Sequence, residues 1–292
     1  YAEAERMHQR ALAIKEKALG PDHLGVAGSL NDLALVYAAS SRGDLAEPLF
    51  RRSLAIRESR LGTDHLLVAQ PLTNLALLYV SQARYVDAEA LYRRALAIDE
   101  RRLGPEHPTT ASALSNLGIL YQLQRRYDAA AQLLNRAYAI KVRVLGRAHP
   151  NSQITLRYLG RLAVDQRRYA EAESTFKESI RIAETSSGVG GREREGSWLE
   201  LADLYRQRRR YAEAAPLYQR RLQDAERLFG PVNARTAGAL LDVAQNAWLW
   251  RGSAAFSGTL LNRSITIFDG LTPGSFSPGG IGRPPVTACM RS

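Results

Sequence analysis

Thiols are almost missing from this 292-residue sequence: Cys289 is the single cysteine, so no internal disulfide can form and no companion thiol stands near it to build a metal site. A reducing, cytoplasmic setting is expected. No stretch approaches the roughly 18 consecutive apolar residues that a membrane helix needs, and Tyr1-Ala2-Glu3-Ala4-Glu5-Arg6 has no apolar signal-peptide core, so no membrane partner is expected. The first residue is Tyr1 rather than Met, and a native start further upstream is expected. Lysine is scarce too. Only Lys15, Lys17, Lys141 and Lys177 occur, so the net charge of +11 is an arginine excess spread along the whole chain. A nucleic-acid binder can carry such a charge, and so can any solvated protein with arginine-favouring composition. Strands and glycine-rich phosphate loops are absent from the pattern; Gly188-Val189-Gly190-Gly191 is a lone cluster without a P-loop lysine.

What the chain has is a period. Leu19-Gly20, Leu61-Gly62, Leu103-Gly104, Leu145-Gly146 and Phe229-Gly230 fall on one register of 42 residues, with Ser187-Gly188 in the remaining slot. The same register aligns Leu33-Ala34, Leu75-Ala76, Leu117-Gly118, Leu159-Gly160, Leu201-Ala202 and Val243-Ala244. It also aligns Tyr37, Tyr79, Tyr121 and Tyr205, with Ala163 as the exception. Each unit holds two amphipathic patterns of roughly 17 residues. In the first, helix A, Leu72, Leu75, Ala76 and Tyr79 make one stripe at i, i+3, i+4, i+7. In the second, helix B, Ala88, Leu91, Tyr92, Ala95, Leu96 and Ile98 do the same. Gly20, Gly62, Gly104 and Gly146 suit a left-handed residue just past a helix end, and Pro108 and Pro150 suit a first helical turn. One helical pair cannot bury its stripe alone, so stability must come from stacking neighbours.

Leu103-Gly104-Pro105-Glu106-His107-Pro108, then Ala113-Leu114-Ser115-Asn116-Leu117-Gly118-Ile119-Leu120-Tyr121, then Arg126-Tyr127-Asp128-Ala129-Ala130, resembles the 42-residue tetratricopeptide repeat of kinesin light chains and their bacterial relatives. The resemblance implies an all-α fold, a right-handed α-solenoid of stacked helix-turn-helix repeats. On that register the array covers 1–269: a half repeat at 1–20, repeats at 21–62, 63–104, 105–146, 147–188 and 189–230, and a degenerate capping pair at 231–269 containing Trp248, Trp250 and Phe256. A hinge is expected where Thr185 to Gly191 replaces the usual linker, and the Pro/Gly-rich 270–292 is expected to be disordered.

No constellation for catalysis emerges, and neither a cofactor nor a metal is expected. His23, His65, His107 and His149 occupy the same linker of successive repeats, so helices stacked about 8–10 Å apart keep them from sharing an ion. Glu171 and Glu173 read as ordinary solvent positions of helix B. The side of helix A opposite its stripe is different, because a face that met only water should be charged. It reads Gly28, Asn31, Leu35 and Ala38, then Gln70, Thr73, Leu77 and Val80, then Ser112, Ser115, Ile119 and Gln122, with Asp32, Asn74 and Asn116 at its margin. Packing against the next repeat explains the apolar members; it explains the asparagines poorly, since a buried amide needs partners for both its oxygen and its NH₂.

In the repeat family this face is the concave groove that receives extended peptides, which the resemblance carries to Asn74 and Asn116. In the fourth repeat Arg157, Tyr158 and Arg161 take these slots, a cationic station for an acidic partner, or an ion pair with nearby Asp165. The expected role is therefore a non-enzymatic scaffold that binds a protein or peptide ligand in this groove. Two alternatives stay open. One is nucleic-acid or acidic-partner binding through the arginine-rich turns Arg125-Arg126, Arg167-Arg168 and Arg208-Arg209-Arg210, nucleic acid being the less favoured. The other is the sensor or docking portion of a larger signalling protein.

Overall fold

In a computed structural model, residues 2–185, 191–251, 259 and 262–267 are described. The linker hinge expected near 186–190 and the tail at 270–292 lie outside them, as does Phe256. The described residues form helices joined by short turns: α1 (Ala2–Leu19), α2 (Leu24–Ala39), α3 (Gly43–Leu61), α4 (Leu66–Ser81), α5 (Tyr85–Leu103), α6 (Pro108–Leu123), α7 (Tyr127–Leu145), α8 (Pro150–Asp165), α9 (Tyr169–Thr185), α10 (Gly191–Gln207), α11 (Tyr211–Phe229) and α12 (Ala234–Arg251). Even-numbered helices are the A helices of the 42-residue register and odd-numbered ones the B helices. Residues 262–267 are helical again. Among the described residues no helix is long and apolar enough to cross a membrane.

Local chemistry sets the boundaries. His23, His65, His107 and His149 are N-caps: each Nδ1 accepts the backbone N–H two residues on, at 3.0–3.1 Å, satisfying one of the orphan donors of an A helix. The B helices α3, α5, α7 and α11 end on Gly62, Gly104, Gly146 and Gly230, with φ of 81–93° and ψ of 157–168°. That is an extended region open only to glycine, rather than the left-handed helical one expected from sequence. The left-handed residues stand instead at the A-to-B turns, where Ser41, Ala83, Arg125, Arg167 and Arg209 all have φ near 60°.

Each stripe is buried as its period requires. Leu72, Leu75, Ala76 and Tyr79 of α4 and Ala88, Tyr92, Ala95 and Ile98 of α5 are all in the core. Small residues at one A slot make room for large ones at a B slot: a Cβ on Gly160 would run into the Phe176 ring, and one on Gly118 would come within 2.9 Å of Leu134 Cγ. Each B helix packs between its own A helix and the next, and α2 touches α4, α6 touches α8 and α8 touches α10. Among the described residues no two successive B helices approach as closely, so the stack curves with the A helices on its inner wall.

Candidate inner-wall site

Polar side chains stitch the inner wall from one A helix to the next. Asn74 Nδ2 donates to Asn31 Oδ1 at 2.9 Å between α4 and α2, and Gln122 Nε2 to Asp165 Oδ2 at 2.6 Å between α6 and α8. Arg161 Nε meets Glu200 Oε1 at 2.7 Å between α8 and α10, and Arg206 Nη1 meets Gln245 Oε1 at 3.0 Å between α10 and α12.

These bonds sort the expected groove residues. Asn31, 1% exposed, is sealed against α4, because Asn74 supplies the partner its amide needs. Ser115 is buried as well; it donates to the Ala111 carbonyl and accepts from Lys141 Nζ at 2.9 Å. Neither lies on the open wall, which corrects the sequence expectation for both. Gln70 and Asp32 are exposed, and Gln70 accepts from Arg57 at 3.2 Å. Thr73, Asn74, Ser112, Asn116, Ile119, Gln122 and Tyr158 are half-buried. Leu35 and Leu77 stand 42% and 49% exposed.

In the fourth repeat the cationic station is already engaged. Arg161 pairs with Glu200 and not with Asp165, which is taken by Gln122. Arg157 lies against Gly196, where a Cβ would come within 2.8 Å of its Cζ, so glycine there permits the approach. Burial pushes the Glu200 carboxyl upward against the lowering pull of Arg161.

The last arginine of each A-to-B turn is engaged. Arg84 lies 3.8 Å over the Tyr79 ring and pairs with Glu47 at 3.0 Å. Arg126 does the same with Tyr121 and Glu89, and Arg210 with Tyr205 and Glu173. Each is a tie between a B helix, the next A helix and the turn that follows. Glu173 is thus no ordinary solvent position: Arg210 first, then Lys177 and Tyr205, hold its carboxyl down at about 2. A glutamate column in register with the tyrosine and arginine columns was the signal in the sequence.

At the far side of the core, Lys141 donates to Ser115 and Thr155, each at 2.9 Å, and burial lowers its amine to about 8. Among the described residues no group of three or more His, Cys, Asp or Glu side chains could hold a metal ion.

Comparison with known proteins agrees with this geometry. Models of the tetratricopeptide repeat match residues 1–59, 26–101, 67–141 and 110–185, and again 197–230. Among solved structures, the putative kinesin light chain repeats of Podosopora anserina superpose with a TM-score of 0.59 at 24% identity, covering 71% of this chain and 98% of that one. BtubC from P. vanneervenii gives 0.58 at 16% identity, over 97% and 96% of the two chains. The quorum sensor NprR from B. thuringiensis gives 0.60 at 14% identity, over 83% and 65%. At these identities the likeness is one of fold. No curated protein matches the chain.

Proposed function

This chain belongs to the tetratricopeptide-repeat family, and from that premise we propose that it is a non-enzymatic scaffold holding an extended segment of a partner protein along its inner wall. One observation carries the reading: Leu35, Leu77 and Ile119 recur in a single slot of α2, α4 and α6, open or half-open, on the side toward which the stack curves. A solvated face would carry charge there. Asn74 and Asn116 stand beside the row, and among the described residues Asn116 has no side-chain hydrogen-bond partner, so its amide is available to a main chain lying across it. Each such hydrogen bond contributes roughly 0.5–1.5 kcal/mol net, so binding in the micromolar range, about −8 kcal/mol, needs several repeats at once.

The test is a photo-crosslinking side chain placed at Leu77, with the same group at Val86, 81% exposed at the start of α5, as control. Capture of a partner segment from position 77 and not from 86 is the expected result. Equal capture from both positions, or none from 77, refutes the reading.

A further inference from the structure

We propose that the turns joining α6 to α7, α8 to α9 and α10 to α11 form a cationic edge that docks an acidic protein segment, whose separate carboxylates are received by Arg125, Arg167 and Arg209. This edge is distinct from the inner wall, and the inference does not depend on the groove reading.

The backbone comes first. Arg125, Arg167 and Arg209 all hold the left-handed conformation, with φ of 60°, 60° and 59°. That region is costly for a residue with a Cβ and suits glycine or asparagine. In the first two turns the same slot holds the small residues Ser41 and Ala83. The turn therefore gives no reason for arginine, and pairing inside the protein gives none either. The neighbouring arginines are engaged: Arg126 by Glu89, Arg168 by Glu171, and Arg210 by Glu173 and Glu213, while Arg208 lies 4.5 Å over the Tyr169 ring. Among the described residues, the exposed side chains of Arg125, Arg167 and Arg209 have no ion pair, hydrogen bond or ring contact.

The three turns adjoin. Gln122, just before Arg125, donates to Asp165, just before Arg167, at 2.6 Å. Arg208, beside Arg209, covers Tyr169 of the preceding turn, and Arg210 reaches Glu173 at 2.6 Å. Unpaired guanidinium groups thus stand on three consecutive turns along one edge of the stack. Each is a planar fork that takes a carboxylate through two parallel hydrogen bonds.

The surroundings choose between anions. Single-stranded nucleic acid stacks its bases on open rings, and rings at this edge are covered by the protein's own arginines: Tyr121 by Arg126 at 3.9 Å, Tyr205 by Arg210 at 4.3 Å, and Tyr169 by Arg208. A polynucleotide also carries charge at every step. Here the cations alternate with exposed carboxylates, Asp128, Glu171 and Glu213, in the first turns of α7, α9 and α11. A protein segment sets carboxylates opposite the arginines and neutral residues opposite those acids. Leu123, exposed just before Arg125, adds an apolar contact that a phosphate backbone does not use.

The experiment is fluorescence anisotropy at about 0.15 M salt, where distant charges are screened. The probes are labelled peptides of Leu, Ser and Glu with the glutamates two, three or four residues apart, the same peptides with Gln for Glu, an oligothymidine and a short DNA duplex. At least one Glu peptide should bind, and its Gln counterpart at least tenfold more weakly. Arg125→Asn/Arg167→Asn/Arg209→Asn, where asparagine suits the left-handed turn, should keep or raise the thermal midpoint while losing at least tenfold in affinity for that peptide. Arg6→Gln/Arg10→Gln/Lys17→Gln, which removes the same charge from exposed positions of α1, should lose less than threefold. Should the asparagine variant lose helicity by circular dichroism, the three single variants, each expected to lose two- to fourfold, carry the test. Binding by none of the Glu peptides, an equal loss in the α1 variant, or DNA held through the same arginines more tightly than every Glu peptide overturns the proposal.

Discussion

Replacing Glu173 by Gln tests the tie that joins α9 to α10 and α11. The carboxylate takes Arg210 Nη1 at 2.6 Å, Lys177 Nζ at 2.7 Å and the Tyr205 hydroxyl at 2.9 Å, and these hold it down at about 2 against an ordinary 4.5. Taken in full, that displacement corresponds to roughly 3 kcal/mol. The Arg210 and Lys177 side chains are 39% and 57% exposed, so screening by water reduces the expected loss to about 1–2 kcal/mol. The pH sign follows from the direction. A carboxyl depressed in the folded state stabilises fully above about 4.5 and loses that contribution as pH falls through about 2. Urea unfolding of both proteins, followed by circular dichroism at pH 7 and stepwise down to pH 2, should show a gap that is constant above pH 4.5 and closes below it. Because the tie joins neighbouring repeats, the variant's transition should also broaden, with the α10–α12 end leaving first. A gap independent of pH, or no gap at pH 7, refutes the account.

Four other substitutions probe the remaining devices. His107→Ala removes the N-cap of α6 and should cost about 0.5–1 kcal/mol in urea unfolding, while His107→Asp restores it. Gly104→Ala meets no atom within 4 Å, so its expected loss of about 1–3 kcal/mol is purely conformational and should appear in the thermal midpoint. Lys141→Met removes a buried amine lowered from 10.5 to about 8. Burial there penalises the charged form, so wild type should gain stability on the variant as pH rises from 8 to 10.5, by at most roughly 3 kcal/mol, measured as paired denaturation curves.

Much of the architecture was legible because a helix writes its buried side into its period. The 42-residue register located every helix pair described, and Leu72, Leu75, Ala76 and Tyr79 are buried as their spacing requires. What the period does not carry is the identity of a partner 28 to 43 residues away. Asn31 reads as an exposed amide because its partner, Asn74, lies one repeat on, and Arg161 reads as a partner of Asp165 because Glu200 belongs to the next repeat. Glu173 was missed for the same reason. The histidines were correctly placed in linkers, yet their capping role depends on a backbone dihedral near ψ 140° that residue type alone does not specify.

Coupling along the array is uneven, and the unevenness has a location. Outer ties join B helices through Arg52–Glu16, Arg94–Glu58, Arg136–Glu100, Arg220–Glu184 and Arg263–Glu226, at 2.5–3.3 Å. Inner ties run through Glu5–Arg42, Glu47–Arg84, Glu89–Arg126 and Glu173–Arg210. Where α7 meets α8 and α9, both are lost: the inner slots hold Ala131 and Ala163, and the outer ones Val142 and Glu178. Arg168 turns to Glu171 and Glu178 to Arg181, partners within their own repeat. The apolar core crosses from α7 into α8 and divides within that helix, since Leu162 closes the cluster reaching back to Leu33 and Ala163 opens the next. In a linear array each interface contributes its own coupling, so this one should yield first. Hydrogen exchange should show α2–α7 and α8–α12 opening as separate units, and Val142→Glu with Glu178→Arg, which rebuilds the outer tie, should bring their opening together. Wild-type protein that already exchanges as one unit across α7 and α8 would show that the apolar packing and the Lys141–Thr155 and Gln122–Asp165 bonds couple the repeats without these ion pairs.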